Sequence, residues 1–196
     1  FVENNIGYPM LTQKVVSTKH FLYDLARKYR ENLSYPLIGI TGSNGKTTTK
    51  DLLHHVLSKT FKVMKTKGNF NSTTGAPLSI LSFEKDADFG IIEMGANTHG
   101  EIERICGVIK PNMGLITNIG EAHIGNFGSK EAIARTKSAL FSCLPVNGTA
   151  FINIDDEMIS KMNSSCPRIE YSLNTKADYN GVWIGENKEL EINGNT

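Results

Sequence analysis

From Pro36 onward, short apolar runs alternate with longer stretches whose apolar residues recur every three or four positions. The runs Leu37–Ile40, Phe61–Met64, Phe89–Ile92, Gly114–Ile116 and Ala150–Ile154 are too short for helices and show no polar alternation. That texture is expected of parallel strands covered on both faces. Between them, helices are predicted over Lys46–Ser58, with Leu52, Leu53, Val56 and Leu57 on one stripe, over Glu101–Ile109 and over Ser129–Leu144. Strands and helices alternating at this spacing predict an α/β fold, a wound and mostly parallel sheet flanked by helices.

The two ends read differently. Phe1–Gln13 has no clear period, whereas Ser17 and Thr18 offer caps to a connecting helix whose Phe21, Leu22, Leu25, Ala26 and Tyr29 share a face. After Asp156 the pattern weakens. Residues 170–196 are rich in Asn, Gly and charge, with β-prone pieces at Val182–Ile184 and Leu190–Ile192, the signature of a small β-rich C-terminal flap or edge.

Composition narrows the function. In 196 residues, 21 Lys and Arg balance 20 Asp and Glu for a net charge of +1, so nothing suggests a nucleic-acid partner. The longest apolar stretches are far below bilayer thickness and the N-terminus lacks a signal pattern, which predicts a cytoplasmic protein with no membrane insertion, taken here as a monomer. Cys106, Cys143 and Cys166 are widely spaced without partners at metal-ligand spacing, and are expected to be reduced, buried thiols.

The strongest chemical signal is Gly39-Ile40-Thr41-Gly42-Ser43-Asn44-Gly45-Lys46-Thr47-Thr48, between a predicted strand and a predicted helix. In that context it is a P-loop-type phosphate cradle. Gly42 and Gly45 permit the turn, and the helix start adds unpaired N–H groups and a positive dipole end. Thr41 to Thr48 are the candidate ATP-binding residues, Lys46 reaching the phosphates as a point charge and the Thr47 hydroxyl ligating Mg²⁺. Ile40 occupies the common motif's first Gly position, and Gly39 stands one residue early. The bland alternative is a glycine-rich turn with no ligand.

Other polar groups cluster where predicted strands end. Glu93 follows Phe89–Ile92 at the carboxyl end of a strand, where open α/β sheets gather ligands; it is a candidate Mg²⁺ ligand or, failing that, a solvated or capping acid. Gly114–Ile116 opens into Thr117, Asn118 and then Gly120-Glu121-Ala122-His123. His123 fits a metal ligand, an acid–base group or an ordinary hydrogen-bonding residue. Lys137, in a helix, has an exposed, solvated lysine as its default reading. Asn69, Asn71, Ser72, Thr73 and Thr74 form a polar loop that is a candidate site or only a turn with a helix cap. His20, His54 and His55 are assigned no role.

Together these residues resemble the Mur ligase family, which includes folylpolyglutamate synthetases, and the spacing of Gly39 to Thr48 is that family's own, which accounts for Ile40. Gly68-Asn69-Phe70-Asn71, Glu93-Met94-Gly95-Ala96-Asn97 with Gly100-Glu101-Ile102, and Thr117-Asn118-Ile119-Gly120 with Ala122-His123 look like its MurF branch. The resemblance covers Leu37 to Asp156. It implies a cell-wall precursor ligase in which ATP phosphorylates the terminal carboxylate of a UDP-MurNAc-peptide and the amine of D-Ala-D-Ala attacks the acyl phosphate. On that resemblance Lys46, His123 and Lys137 are catalytic, Thr47 and Glu93 hold a first Mg²⁺ and His123 a second. Lys137 matches the lysine that related ligases carry as a carbamate, and Asn69 to Thr74 match the loop that meets the muramoyl peptide.

Two departures qualify the resemblance. Ile124-Gly125-Asn126 stands where the branch usually has Leu-Glu-Gly after the loop His. The length also falls short, so residues 1–35 are expected to be a linker and connecting helix from a missing N-terminal substrate domain, and 36–196 a partial central ATP-binding domain with weak or no ligase activity alone. Another Mur ligase, a folate-type polyglutamate ligase, or a nucleotide switch are the competing readings. The absence of an Asn-Lys-x-Asp string, since Ile119 follows Asn118, counts against a guanine-reading switch.

Overall fold

A computed structural model describes residues 15–121, 124–184 and 189–194. Five strands fall where the apolar runs predict them: β1 (Leu37–Thr41), β2 (Val63–Lys65), β3 (Phe89–Glu93), β4 (Met113–Ile116) and β5 (Thr149–Asn153). Strands β6 (Arg168–Ser172), β7 (Tyr179–Ile184) and β8 (Glu189–Gly194) complete one eight-stranded sheet of order β2-β3-β1-β4-β5-β6-β7-β8. All neighbours pair in parallel except β7 and β8. The C-terminal β-rich segment is therefore an antiparallel hairpin continuing the sheet's edge. Strand β6, unpredicted because its apolar positions are sparse, connects that hairpin to β5.

Helices α1 (Thr18–Arg30), α3 (Gly75–Leu81), α4 (Glu101–Ile109) and α6 (Lys130–Ser142) pack on one another and share the larger core with short helices α5 (Ile124–Phe127) and α7 (Glu157–Ser160). Ser17 and Ser129 cap α1 and α6 through their side chains. Helix α2 (Lys46–Leu57) lies over a smaller cluster of Ile38, Ile40 and Ile91, and only Leu53 and Leu57 of its predicted stripe pack there. Leu52 is 62% and Val56 64% exposed, a correction to the sequence expectation. Among the described residues no second helix packs on that cluster beside α2, so the row one residue over is left exposed.

The predicted strand Phe61–Met64 starts two residues later, with Phe61 edge-on to Phe89 at 5.1 Å. Register is what builds the site. Ile40 pairs with Glu93 and Thr41 with Ile116, so β1, β3 and β4 end level and their loops emerge together.

Candidate nucleotide site

The loop after β1 turns at Gly42, with φ of +146°, and enters α2 through Gly45 in the left-handed region at +77°. A Cβ at Gly42 would collide with the Thr117 hydroxyl, so glycine is required there by approach as well as by dihedral. The loop after β4 clamps this turn. Ser43 N donates to Asn118 O at 3.0 Å and Asn44 N to Asn118 Oδ1 at 3.1 Å, while Thr117 Oγ1 and Asn118 Nδ2 donate to Asn44 O at 2.6 and 3.0 Å. Gly120 N donates to Ser43 Oγ at 2.9 Å. The amides of Ser43 and Asn44 are thus spent on holding the loop. The open anion cradle is the first turn of α2, whose N–H groups lack intrahelical acceptors.

Thr41 is buried, and its hydroxyl donates to Met94 O at 2.8 Å, away from the cradle. Lys46 Nζ folds back onto Gly42 O and Ser43 O at 2.9 and 3.0 Å. Burial draws its ammonium below the ordinary lysine range, opposed by the Glu93 carboxylate.

Glu93, last in β3 and only 1% exposed, is the best-braced side chain of the site. Thr47 Oγ1 donates to its Oε2 at 2.9 Å, Asn71 Nδ2 donates to its Oε1 at 2.7 Å, and Lys50 Nζ lies 3.4 Å from Oε2. The backbone N–H of Glu93 donates to Thr66 Oγ1. A buried carboxylate and a helix-start hydroxyl converging in this way present hard oxygen donors of the kind Mg²⁺ takes.

Lys137 is 4% exposed, which corrects its default reading as a solvated lysine. From α6 its Nζ reaches Gly42 O at 3.0 Å, the carbonyl that Lys46 also uses. Burial first, then the Lys46 charge, lower its pKa from 10.5 to about 8. Two hollows meet around these groups. One of about 410 Å³ runs along Ser43 to Thr48 with Asn71 and Glu93; another of about 300 Å³ includes Lys46, Lys137, Asn69, Asn71, Ser72 and Glu101. Thr73 is buried, Thr74 precedes α3, and Ser72 Oγ accepts from the amides of Thr74 and Gly75, so the helix-cap reading also applies to this loop. His123 lies outside the described residues.

Lys50 escaped the sequence reading, and Asn118, named there at a strand end and in the family motif, was given no role. Lys50 stands one turn beyond Lys46 and Thr47 on α2, a spacing that shares a face with them, and that is the only signal it carries. The clamp that Asn118 sets on the phosphate loop is visible only once β4 lies beside β1. A further correction concerns Cys143, which is exposed while Cys106 and Cys166 are buried.

Comparison with known proteins follows the same outline. A family model described as the Mur ligase middle domain matches residues 40–192. A UDP-N-acetylmuramoyl-tripeptide–D-alanyl-D-alanine ligase of Bacillus subtilis (strain 168) is 39% identical over 168 residues, 86% of this chain but 36% of that protein. Among solved structures, MurF from Acinetobacter baumannii superposes with a TM-score of 0.84 at 30% identity, covering 91% of this chain and 40% of that one. MurF ligase from Thermotoga maritima in complex with ADP gives 0.81 at 30%, covering 92% and 45%. The chain spans less than half the length of these proteins. Because the family match begins inside β1 and ends inside β8, it takes in the phosphate loop, Glu93 and the whole run of the sheet between them, and the chain belongs to the Mur ligase family.

Proposed function

We propose that this chain is the nucleotide-handling part of an ATP-dependent ligase of peptidoglycan precursor synthesis, working in the cytoplasm as a monomer and joining D-Ala-D-Ala to a UDP-MurNAc-tripeptide. The observation that carries the reading is Glu93 braced between Thr47 and Asn71 at 2.9 and 2.7 Å, beside an anion cradle and within a fold whose relatives bear that activity in their names. In this reading the first-turn amides of α2 and Lys46 hold the ATP phosphates, and Thr47 and Glu93 hold Mg²⁺, which neutralises charge on the phosphates. His123 serves a second Mg²⁺. The cleft lined by Asn69, Asn71 and Ser72 receives the carboxylate end of the peptide, with Thr73 and Thr74 setting that loop on α3. Phosphoryl transfer from ATP to that carboxylate gives an acyl phosphate and ADP, and the amine of D-Ala-D-Ala attacks the acyl carbon with loss of phosphate and a proton.

Lys137 enters as a carbamate. An amine with pKa about 8 is partly neutral near neutral pH, the form that adds CO₂, and the product replaces a second cation beside Lys46 with an anion.

The test is calorimetry of the chain with ATP, with and without Mg²⁺, beside Lys46→Ala and a GTP control. Mg²⁺-dependent binding of ATP but not GTP is expected, weakened about tenfold to hundredfold in the variant for one lost charge-assisted contact. Equal binding by the variant removes Lys46 from the phosphate site. In the full-length protein, phosphate release must require both the peptide and the D-Ala-D-Ala substrate; release with L-glutamate in place of the dipeptide assigns a different ligase.

A further inference from the structure

The amino-terminal end of the sheet, opposite the phosphate loop, carries a second chemical feature that the ligase reading does not use. Cys106 sits on the buried face of α4 at 3% exposure, and Cys143 closes α6, its amide donating to Ala139 O and Leu140 O while its side chain is exposed. Helices α4 and α6 pack together, and both cysteines line one solvent-open hollow of about 370 Å³ with Arg30, Glu31 and Lys110. The third cysteine is different: Cys166 is buried, with Ser164 Oγ 3.0 Å from its Sγ.

We propose that Cys143 and Cys106 form a thiol–disulfide exchange site, in which exposed Cys143 takes up a low-molecular-weight disulfide of the glutathione class and buried Cys106 resolves it into an intramolecular disulfide. The division of labour follows from burial, because the attacking group must be a reachable thiolate and the resolving group need only reach its neighbour. Interaction with Cys106 draws the Cys143 thiol below its ordinary value, opposed by partial desolvation and by Glu103; interaction with Cys143 and then burial push the Cys106 thiol up. Exposure makes Cys143 the sulfur that a reagent in solvent can reach, and the nucleophile. Lys110 gives the hollow an exposed cation that suits a carboxylate-bearing disulfide, with Glu31 3.3 Å away partly balancing it, while the buried Arg30 guanidinium is spent on Ile109 O, Leu33 O, Lys110 O and Asn112 Oδ1.

In the first step the Cys143 thiolate attacks one sulfur of the reagent, the reagent's S–S bond breaks, and one thiolate leaves with the electron pair. In the second, Cys106 gives its proton to solvent and attacks the Cys143 sulfur, expelling the other thiolate. The protein loses two electrons and two protons, and the reagent becomes two thiols.

The experiment is intact-mass and peptide mass spectrometry of the chain after incubation with glutathione disulfide, beside Cys143→Ser, Cys106→Ser and Cys106→Ala. Thermal melting checks that each variant is folded. The expected wild-type product has lost two hydrogens and yields a peptide pair linked through Cys106 and Cys143, with Cys166 unmodified. Both Cys106 variants should hold a stable glutathione adduct on Cys143, and Cys143→Ser should react at least about tenfold more slowly, since a buried thiol reacts only on local opening. A stable adduct on wild-type Cys143 with no link to Cys106 would overturn the proposal. So would no reaction at all, or a Cys143→Ser variant that reacts as fast as wild type.

Discussion

Removing the charge of Glu93 should destabilise the chain mainly by stranding Lys50. The pair is 3.4 Å apart with both side chains 2% exposed, so solvent screens it little. At an effective dielectric of about 20, Coulomb attraction at that distance is about 5 kcal/mol, set against the cost of burying both ions. Breaking such a pair from one side typically costs about 3–5 kcal/mol. Glu93→Gln keeps an acceptor for Asn71 but removes the charge and sets an NH2 group where Thr47 and Lys50 approach Oε2, leaving Lys50 with Gly68 O at 3.4 Å and the half-exposed Asp51 at 3.9 Å. Lys50→Met removes the cation with similar volume. Urea unfolding of wild type, both single variants and the double variant yields the coupling energy directly. Each single variant is expected to lose about 3–5 kcal/mol, or roughly 6–20 °C in Tm for a domain of this size, and the double to lose less than their sum by about 2 kcal/mol or more. Additivity within about 0.5 kcal/mol would refute the reasoning, because the two groups would then not depend on each other.

Two further outcomes follow from the loop. Lys137 has a folded-state pKa of about 8 against an ordinary 10.5, so between those values the unfolded chain binds more protons and stability rises with pH; the cost of charging the buried amine, about 3 kcal/mol, is fully present below pH 8. In CO₂-free buffer, wild-type unfolding free energy should climb relative to Lys137→Met between pH 8 and 10.5, and parallel curves would remove the depressed pKa. Gly42→Ala forces a side chain into positive φ against Thr117, and should lower stability by about 1–3 kcal/mol in thermal melts; an unchanged Tm would mean that the turn relaxes freely.

Much of the framework was legible because it is local. Apolar runs flanked by glycine and amphipathic spacing identify β1, β3, β4, β5, α1, α2, α4 and α6 to within about two residues, and the phosphate loop announces itself by composition. The misses share a cause. Leu52 and Val56 obey helical periodicity as well as Leu53 and Leu57 do, and periodicity cannot say how many layers cover a face. Strand β6 mixes Arg168, Glu170 and Tyr171 with few apolar residues, since near the sheet's end it need bury less.

The candidate site divides in the same way. Sequence alone identified Lys46, Thr47 and Glu93 as candidates, because a strand end, a glycine turn and a helix start are written in consecutive residues. Only the tertiary structure brought Asn71 and Lys50 onto the Glu93 carboxylate, set Asn118 across the loop amides, and buried Lys137 against Gly42 from 95 residues away. The physical reason is that hydrogen bonding and desolvation are decided by what lies within a few ångströms, and parallel β connections bring residues of distant sequence to that range at the level ends of β1, β3 and β4.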